Sequence, residues 1–383
     1  MMMLKDIVQY PFDAQSDSFF CALSSALLPA LGYTENTPYF CAPKGQFCFQ
    51  CGACGDRTTL QKHHLSIYHA LLAASGVAFC FDYPQDDGVA EHSFPGAGNG
   101  WRWPDAFVDF LMRFAGVSWK RLKKEDGEAA IYAALCASVE AGIPSPVRLG
   151  GDSPFGRATA WQVVTGCEAG VLQGLDAYGH SLRNAGACYD QDGRFMLEDW
   201  YSHFEDALVI TGHASQRLTY SSVLARIASV LADPSHERLE REILSDLDAA
   251  APETAFDIAC KLIGITSVPI EARWHAAEAF CTRENLIWSL EGDEAVKREL
   301  GELFFARYIQ NDNGETHGIC WRIWNLLGAS AETGFGPAPD SGERLLAGNV
   351  QGELKALFAA VFQNDQEILN ALRRALAKEG MGR

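Results

Sequence analysis

The spacing of hydrophobic residues in the first part of the chain predicts helices whose ends are marked by polar residues and glycine. Asp17 or Ser18 can cap a helix that runs from about residue 19 to about residue 31, and Gly32 would end it. The apolar and aromatic segment 77–83 predicts a buried strand. The same reasoning predicts helices from Thr58 or Thr59 to before Gly76, at about 105–115 and at about 127–141, with a short strand at 117–122.

Beyond residue 142 the pattern changes to short β-prone runs that are separated by Gly, Asp and Asn turns. Because helices come first and an antiparallel sheet follows, the predicted fold class is α+β, over a first domain that spans 1–213. The predicted strands are 146–149, 161–166, 171–176, 194–197 and 207–211.

Residues 214–383 predict a second, all-α domain, because their apolar residues recur at helical spacing. The segment 329–349 is rich in Gly, Pro, Ser and Ala and is predicted to be a long loop. We expect this domain to wall a cleft of the first domain or to mediate homo-oligomerisation. Its predicted helices are 218–249, 252–262, 270–284, 294–309, 317–327 and 350–378.

The chain of 383 residues is acidic, with 31 Lys and Arg against 49 Asp and Glu, a net charge of −18 and a pI near 4.9. This balance repels phosphate backbones and anionic lipids, so nucleic acids and membrane surfaces are not expected partners. No apolar stretch reaches the roughly 18 residues that span a bilayer, and the start of the chain lacks the apolar core of a signal peptide. We therefore expect a cytoplasmic protein whose twelve cysteines are reduced.

Cys21 is the first candidate nucleophile, because it lies at the start of the first predicted helix. The helix dipole and the unpaired backbone N–H groups of a helix start favour the thiolate. The side-chain amide of Gln15, six residues earlier, can form half of an oxyanion hole, and the backbone N–H of Cys21 can form the other half. The alternative is that Cys21 is a small apolar residue on a buried helix.

The order of segments after Cys21 extends this pattern. An apolar strand that ends at Gly166 is followed by a second strand and Asp176, and the segments 143–149, 161–166, 174–179 and 198–204 follow one another before the strand 207–211. Over about residues 9–213, this order and the Gln15–Cys21 spacing resemble the compact bacterial branch of the papain-like cysteine peptidase superfamily. That branch includes double-glycine leader peptidases and the acyltransferase of butirosin biosynthesis. The resemblance implies that Cys21 is the nucleophile, that Gln15 stabilises the oxyanion and that Asp176 orients the base.

The chain departs from this family at the general base. Counted back from Gly166, the position that should hold the catalytic histidine is Ala160. Alanine cannot take a proton, so Cys21 would depend on the helix dipole, which can favour a thiolate but cannot protonate a leaving amine. Candidate replacements are His180 and His203, whereas His63, His64 and His69 on the second predicted helix are interpreted as surface or core residues.

A cysteine cluster within 14 residues is the candidate metal site, with the pattern Cys41-x6-Cys48-x2-Cys51-x2-Cys54. Four thiolates can complete a tetrahedral structural zinc site, an iron–sulfur cluster is the softer alternative, and His63 or His64 can replace Cys41 as a ligand. The spacing matches neither the two separated knuckles of a zinc ribbon nor the proline-terminated run of bacterial ferredoxins. The other interpretation is a set of reduced, partly buried cysteines, and the proposed chemistry requires no cofactor.

Two functional hypotheses from different classes follow from these residues. In the first, Cys21 forms an acyl-thioester as a thiol-dependent acyltransferase or an amide or peptide hydrolase. An acyl group on a carrier is its favoured substrate over a small amide or a peptide, because a thiolate leaving group needs no protonation. In the second, motivated by Ala160, the chain is an inactive papain-like pseudoenzyme that binds a peptide or a small molecule. A third option is an interaction protein in which the positions of Cys21 and Gln15 are coincidental.

Overall fold

The computed structural model of the chain forms two compact units. The first comprises the described parts of 1–71 and 95–218, and the second comprises those of 72–94 and 219–383. Residues 72–80, which the sequence analysis placed in the first domain, therefore belong to the second unit. The residues that the structure describes are 2–4, 7, 18–34, 36–37, 59–80, 103–150, 160–175, 188–190, 193–282, 285–310, 316–330, 333 and 336–381.

The helices of the first unit lie close to their predicted positions. Helix α1 (Ser18–Ala30) ends shortly before Gly32, whose φ of 77° is in the left-handed region that favours glycine after a helix. The other helices are α2 (Thr59–Ser75), whose residues after 71 belong to the second unit, α3 (Asp105–Ala115), α4 (Glu128–Glu140) and the short α5 (Trp200–His203).

The described strands of the first unit form one antiparallel sheet. They are β1 (Met2–Met3), β2 (Val117–Lys123), β3 (Ser145–Leu149), β4 (Ala160–Glu168), β5 (Val171–Leu175), β6 (Cys188–Tyr189), β7 (Phe195–Leu197) and β8 (Phe204–His213). Their order is β2-β8-β3-β4-β5-β7-β6, and β1 pairs with the end of β4. Helices together with one antiparallel sheet confirm the predicted α+β class.

The hairpin between β4 and β5 depends on a two-residue turn. Ala169 and Gly170 both have positive φ, at 51° and 86°, and Glu168 pairs with Val171 across the turn. Two consecutive residues with positive φ are typical of the tight turns whose twist matches the flanking strands. The turn thereby fixes the register of β4 against β5.

The two faces of the sheet carry different helices. Val147 and Val164 join the core cluster that also contains Ile131 and Leu135 of α4. Successive side chains of a strand point to opposite faces, so Trp161 lies on the other face, where its ring is 5.1 Å from that of Phe19 in α1. The strand β4 is therefore covered by α4 on one face and by α1 on the other.

The described part of the second unit is helical, which is consistent with the predicted all-α domain. Its helices are α6 (Tyr220–Leu231), α7 (Ser235–Ala249), α8 (Ala255–Ile265), α9 (Glu271–Cys281), α10 (Glu294–Phe304), α11 (Thr316–Leu327), α12 (Ser341–Leu346) and α13 (Val350–Met381). Among the described helices, none combines the length and the apolar character that a membrane crossing requires.

One helix prediction and one loop prediction in this unit were wrong in detail. The segment 218–249 forms α6 and α7 and not one helix, because Pro234 lies between them and cannot donate the backbone hydrogen bond that a continuous helix needs. The predicted loop 329–349 contains α12, whose Ser341 is buried and donates a hydrogen bond of 2.6 Å to the carbonyl oxygen of Leu327.

The predicted strand 77–83 was also wrong over its described residues. Val77–Phe79 forms a single 3₁₀ turn after Gly76, whose φ of 79° is in the left-handed region. Its carbonyl oxygens are paired with side chains and not with a strand: His236 Nε2 lies 2.8 Å from the oxygen of Phe79, and Arg273 Nη1 lies 3.2 Å from that of Ala78. Burial of apolar residues does not by itself distinguish a strand from a turn of this kind.

Candidate functional site

The candidate site is the beginning of α1, which packs against the beginning of β4. The backbone N–H of Trp161 donates a hydrogen bond of 3.3 Å to Oγ of Ser18, the first residue of the helix. The rings of Phe19 and Trp161 meet edge to face. The helix that carries Cys21 is thus placed beside the strand in which Ala160 is the first residue, so these two predicted positions lie in one region of the fold.

Aromatic side chains close around this region. The ring of Trp103 lies 5.8 Å from that of Phe19 and 6.0 Å from that of Phe20, and it stacks on Phe107. Arg121 of β2 holds the backbone of Trp103 through a hydrogen bond of 2.7 Å from Nη2 to its carbonyl oxygen. The first turn of α1 is therefore packed among large apolar rings.

Cys21 is the fourth residue of α1, and its side chain is almost completely buried, with a relative exposure of 1%. Its neighbours along the helix, from Ser18 to Leu28, are buried as well. The dipole of α1 favours a thiolate near the first turn, whereas removal of the thiol from water favours the neutral form. Such burial also keeps a substrate from the sulfur atom in this conformation.

His64 of α2 is the histidine that the structure brings to the helix of Cys21. Its Nε2 lies 3.0 Å from the carbonyl oxygen of Cys21 and 3.1 Å from Oγ of Ser25. The Ser25 hydroxyl also donates to the same carbonyl oxygen, over 3.1 Å. Because a carbonyl oxygen only accepts, we assign the ring proton to Nε2, and His64 then donates to the backbone of α1.

The environment of His64 keeps its imidazole neutral. The ring is completely buried, and this burial lowers the pKa of His64 to about 4. The hydrogen bond to the carbonyl oxygen of Cys21 opposes this shift, and nearby His69 reinforces it. Nδ1 is buried and has no hydrogen-bond partner among the described residues. Neither ring nitrogen of His64 is therefore paired with the thiol of Cys21, and so weak a base would take little of its proton at neutral pH.

The histidines of α2 are core residues. The sequence analysis had left open whether they lie on the surface or in the core. His63, His64 and His69 are all buried in α2. His63 places Nε2 3.1 Å from the carbonyl oxygen of Thr37, and its ring packs against that of Tyr33, with ring centroids 4.4 Å apart. This use of Nε2 against a backbone oxygen matches that of His64.

His203 lies at the same end of the sheet as Ala160. Leu149 of β3 pairs with Ala160 on one side and with Phe204 on the other, and the N–H of Gly150 donates a hydrogen bond of 2.8 Å to the carbonyl oxygen of His203. One strand separates the two positions, which corresponds to about 10 Å between their backbones. The backbone of His203 is therefore not at the position of the missing base, Ala160, but lies across β3 from it.

Several predicted site residues lie outside the part of the chain that the structure describes. Gln15 and Asp176 therefore keep their roles as predictions, and so does the replacement of the base by His180. The same applies to the predicted metal cluster of Cys41, Cys48, Cys51 and Cys54.

The contact between His64 and α1 was missed from the sequence, although a signal for it exists. Leu60, His64, Ile67 and Leu71 recur at the spacing of one helical face, and all four are buried. A histidine in the middle of an apolar stripe indicates a buried ring that needs a hydrogen-bond partner. No protein-family model, curated protein or solved structure matches this chain, so the chemistry of the site rests on its own residues.

Proposed function

We propose that the first unit is a papain-like domain that binds a peptide or a small molecule without covalent catalysis. The observation that carries this proposal is the environment of Cys21, whose thiol is 1% exposed while the neighbouring His64 uses Nε2 on the backbone. Acyl transfer requires a thiolate that the acyl donor can reach and a group that moves the proton. Ala160 removes the base of the family pattern, and His64 does not replace it.

The role of Cys21 under this proposal is packing. A free cysteine that is buried among apolar groups behaves as a small hydrophobic residue, and its thiol stays protonated. The rings of Phe19, Phe20 and Trp103 surround the same turn of the helix. Gln15 and Asp176 then contribute to the shape and polarity of the binding surface and not to a reaction.

The proposal is tested by the rate at which iodoacetamide alkylates Cys21 between pH 4 and pH 10, measured by mass spectrometry of the digested protein. Fragment ions distinguish Cys21 from Cys41, which lies on the same tryptic peptide. We expect Cys21 to react no faster than the buried Cys320 and more slowly than the half-buried Cys260. An inflection well below the thiol reference of about 8.5 would contradict a packing role.

A thiol-dependent enzyme is the second candidate, because Cys21 lies where the dipole of α1 favours its thiolate. In this case Cys21 attacks a carrier-bound acyl thioester, the thiolate of the carrier leaves without a proton, and Gln15 with a backbone N–H stabilises the oxyanion. Incubation with an acyl thioester would then add the mass of the acyl group at Cys21. The matched control is the variant Cys21→Ala, and an unmodified wild-type chain would remove this candidate.

A further inference from the structure

The side chain of Trp103 is buried although the chain that follows it lies at the surface. Its relative exposure is 8%, whereas the next three residues, Pro104, Asp105 and Ala106, are exposed. The ring of Trp103 therefore enters the first unit from its surface. A buried aromatic ring on an exposed segment is also the arrangement by which binding partners place their anchor residues in pockets.

The surroundings of this ring are aromatic. Phe19 and Phe20 of α1 have ring centroids 5.8 and 6.0 Å from that of Trp103. Phe107 of α3, which is partly exposed, stacks on Trp103 with centroids 4.4 Å apart and an interplanar angle of 17°. Ring contacts of this kind favour a planar aromatic group. The rings of Phe19, Phe20 and Phe107 thus form an aromatic pocket beside the first turn of α1, and Trp103 occupies it.

One arginine fastens Trp103 to the sheet. Arg121 of β2 donates from Nη2 to the carbonyl oxygen of Trp103 over 2.7 Å and from Nε to Oδ1 of Asp105 over 2.6 Å. Its Nη1 lies 3.1 Å from Oδ2 of Asp206, a residue of β8 that is 1% exposed. Arg121 is therefore anchored on the sheet by a buried carboxylate and holds the segment 103–105 from there.

The hold on the segment is at its surface. The side chain of Asp105 is 64% exposed, and an exposed ion pair contributes little to stability because water competes for both groups. The other bond of Arg121 to the segment is made to a backbone oxygen and not to the indole ring. The ring is thus placed in the pocket through two bonds that a bound ligand does not have to imitate.

We propose that the aromatic pocket is a subsite for an aromatic side chain of the ligand, and that Trp103 fills it as an autoinhibitory group that Arg121 holds in place. This inference rests on the proposed function, because it names the ligand group that the first unit binds beside α1. The side chain of a tryptophan, tyrosine or phenylalanine makes the same ring contacts and competes with Trp103. The apparent affinity is then reduced in proportion to the fraction of molecules in which the pocket is open.

The test is the binding of N-acetyltryptophanamide, which carries an indole between two amide groups as a peptide does. Its dissociation constant is measured by ligand-observed NMR titration of the full chain in a Cys21→Ala background. Arg121→Met should raise the affinity at least about tenfold, because the open form becomes more populated. Trp103→Ala should raise it further, because the competing ring is absent. N-acetylalaninamide, which has no ring, should bind none of these proteins with comparable affinity.

Two further variants complete the comparison. Lys120→Met removes a positive charge at an exposed position of the same strand as Arg121 and should bind like the parent. Asp105→Asn removes only the exposed carboxylate, so it should raise the affinity by a smaller factor than Arg121→Met, and it decides the question if Arg121→Met does not fold. If neither Arg121→Met nor Asp105→Asn binds more tightly than the parent, the proposal is wrong. Binding by Trp103→Ala alone would then show only the cavity that a core residue leaves.

The outcomes separate this inference from the role of Cys21. A low inflection in the alkylation of Cys21 would contradict the packing role, but it would leave the binding measured in the Cys21→Ala background unchanged. Equal affinities of the parent, Arg121→Met and Asp105→Asn would remove the aromatic subsite and would leave the packing role of Cys21 as it stands.

Discussion

The substitution Arg273→Met should lower the free energy of unfolding of the second unit by about 3–5 kcal/mol. Arg273 is completely buried, and its Nε and Nη2 donate to both oxygens of Asp365 over 2.8–3.1 Å. Nη1 donates to the carbonyl oxygens of Pro269 and Ala78. Without the guanidinium, the buried carboxylate of Asp365 keeps only the hydroxyl of Tyr308 as a donor, over 2.8 Å, and two carbonyl oxygens lose the donor that Arg273 provides.

The measurement is urea unfolding at pH 7, with Arg373→Met as the matched control. Arg373 lies on α13, the same helix as Asp365, but is exposed, so its replacement should change stability by no more than about 0.5 kcal/mol. The double variant Arg273→Met with Asp365→Leu should recover part of the loss, because it removes the unpaired charge. A loss below about 1 kcal/mol for Arg273→Met would mean that this ion pair does not hold the unit together.

The same ion pair explains one limit of prediction from the sequence. The donors that fix the turn at Val77–Phe79 come from His236 and Arg273, which are 157 and 195 residues away from their acceptors. An apolar segment of this length has the composition of a buried strand, and nothing near it in the chain indicates side-chain partners so distant. The local pattern was therefore read correctly as buried, but its hydrogen bonding could not be predicted.

Where local rules determine the structure, the sequence was sufficient. Gly32 was predicted to end the first helix, and it adopts the left-handed backbone just after α1. The helix predicted at about 105–115 is α3, and Gly116 adopts the same backbone at its end. The break at Pro234 was missed for a different reason: Leu231 and Leu239 are both buried, so apolar residues continue across the break. The prediction of one helix over 218–249 followed the hydrophobic pattern and gave no weight to Pro234, although a proline cannot donate the backbone hydrogen bond of a continuous helix.

The candidate site divides in the same way. The position of Cys21 near the start of a buried helix followed from helix signals in the sequence. The contact of His64 with the carbonyl oxygen of Cys21 spans 43 residues and depends on how α2 packs on α1.

The burial of His64 should make the first unit sensitive to acid. The pKa of His64 is about 4 in the folded chain and about 6.5 in the unfolded one, so the unfolded state binds the proton first as the pH falls. The stability that comes from the neutral ring is fully present above pH 6.5 and is lost as the pH falls to 4. The difference corresponds to about 3 kcal/mol, at 1.36 kcal/mol for each pH unit.

The comparison is between the wild type and His64→Gln, by urea unfolding at intervals from pH 7.5 to pH 4. The glutamine amide can still donate to the carbonyl oxygen of Cys21 but does not titrate, so the variant keeps the contact and loses the acid sensitivity. The free energy of unfolding of the wild type should therefore fall by about 3 kcal/mol relative to that of the variant as the pH decreases from 7.5 to 4. His213→Gln, at an exposed position at the end of β8, should follow the wild type throughout. If the free energies of unfolding of the wild type and His64→Gln changed in parallel with pH, His64 would be accessible to protons in the folded state. The assignment of a neutral, backbone-bound imidazole, which argues against catalysis at Cys21, would then be wrong.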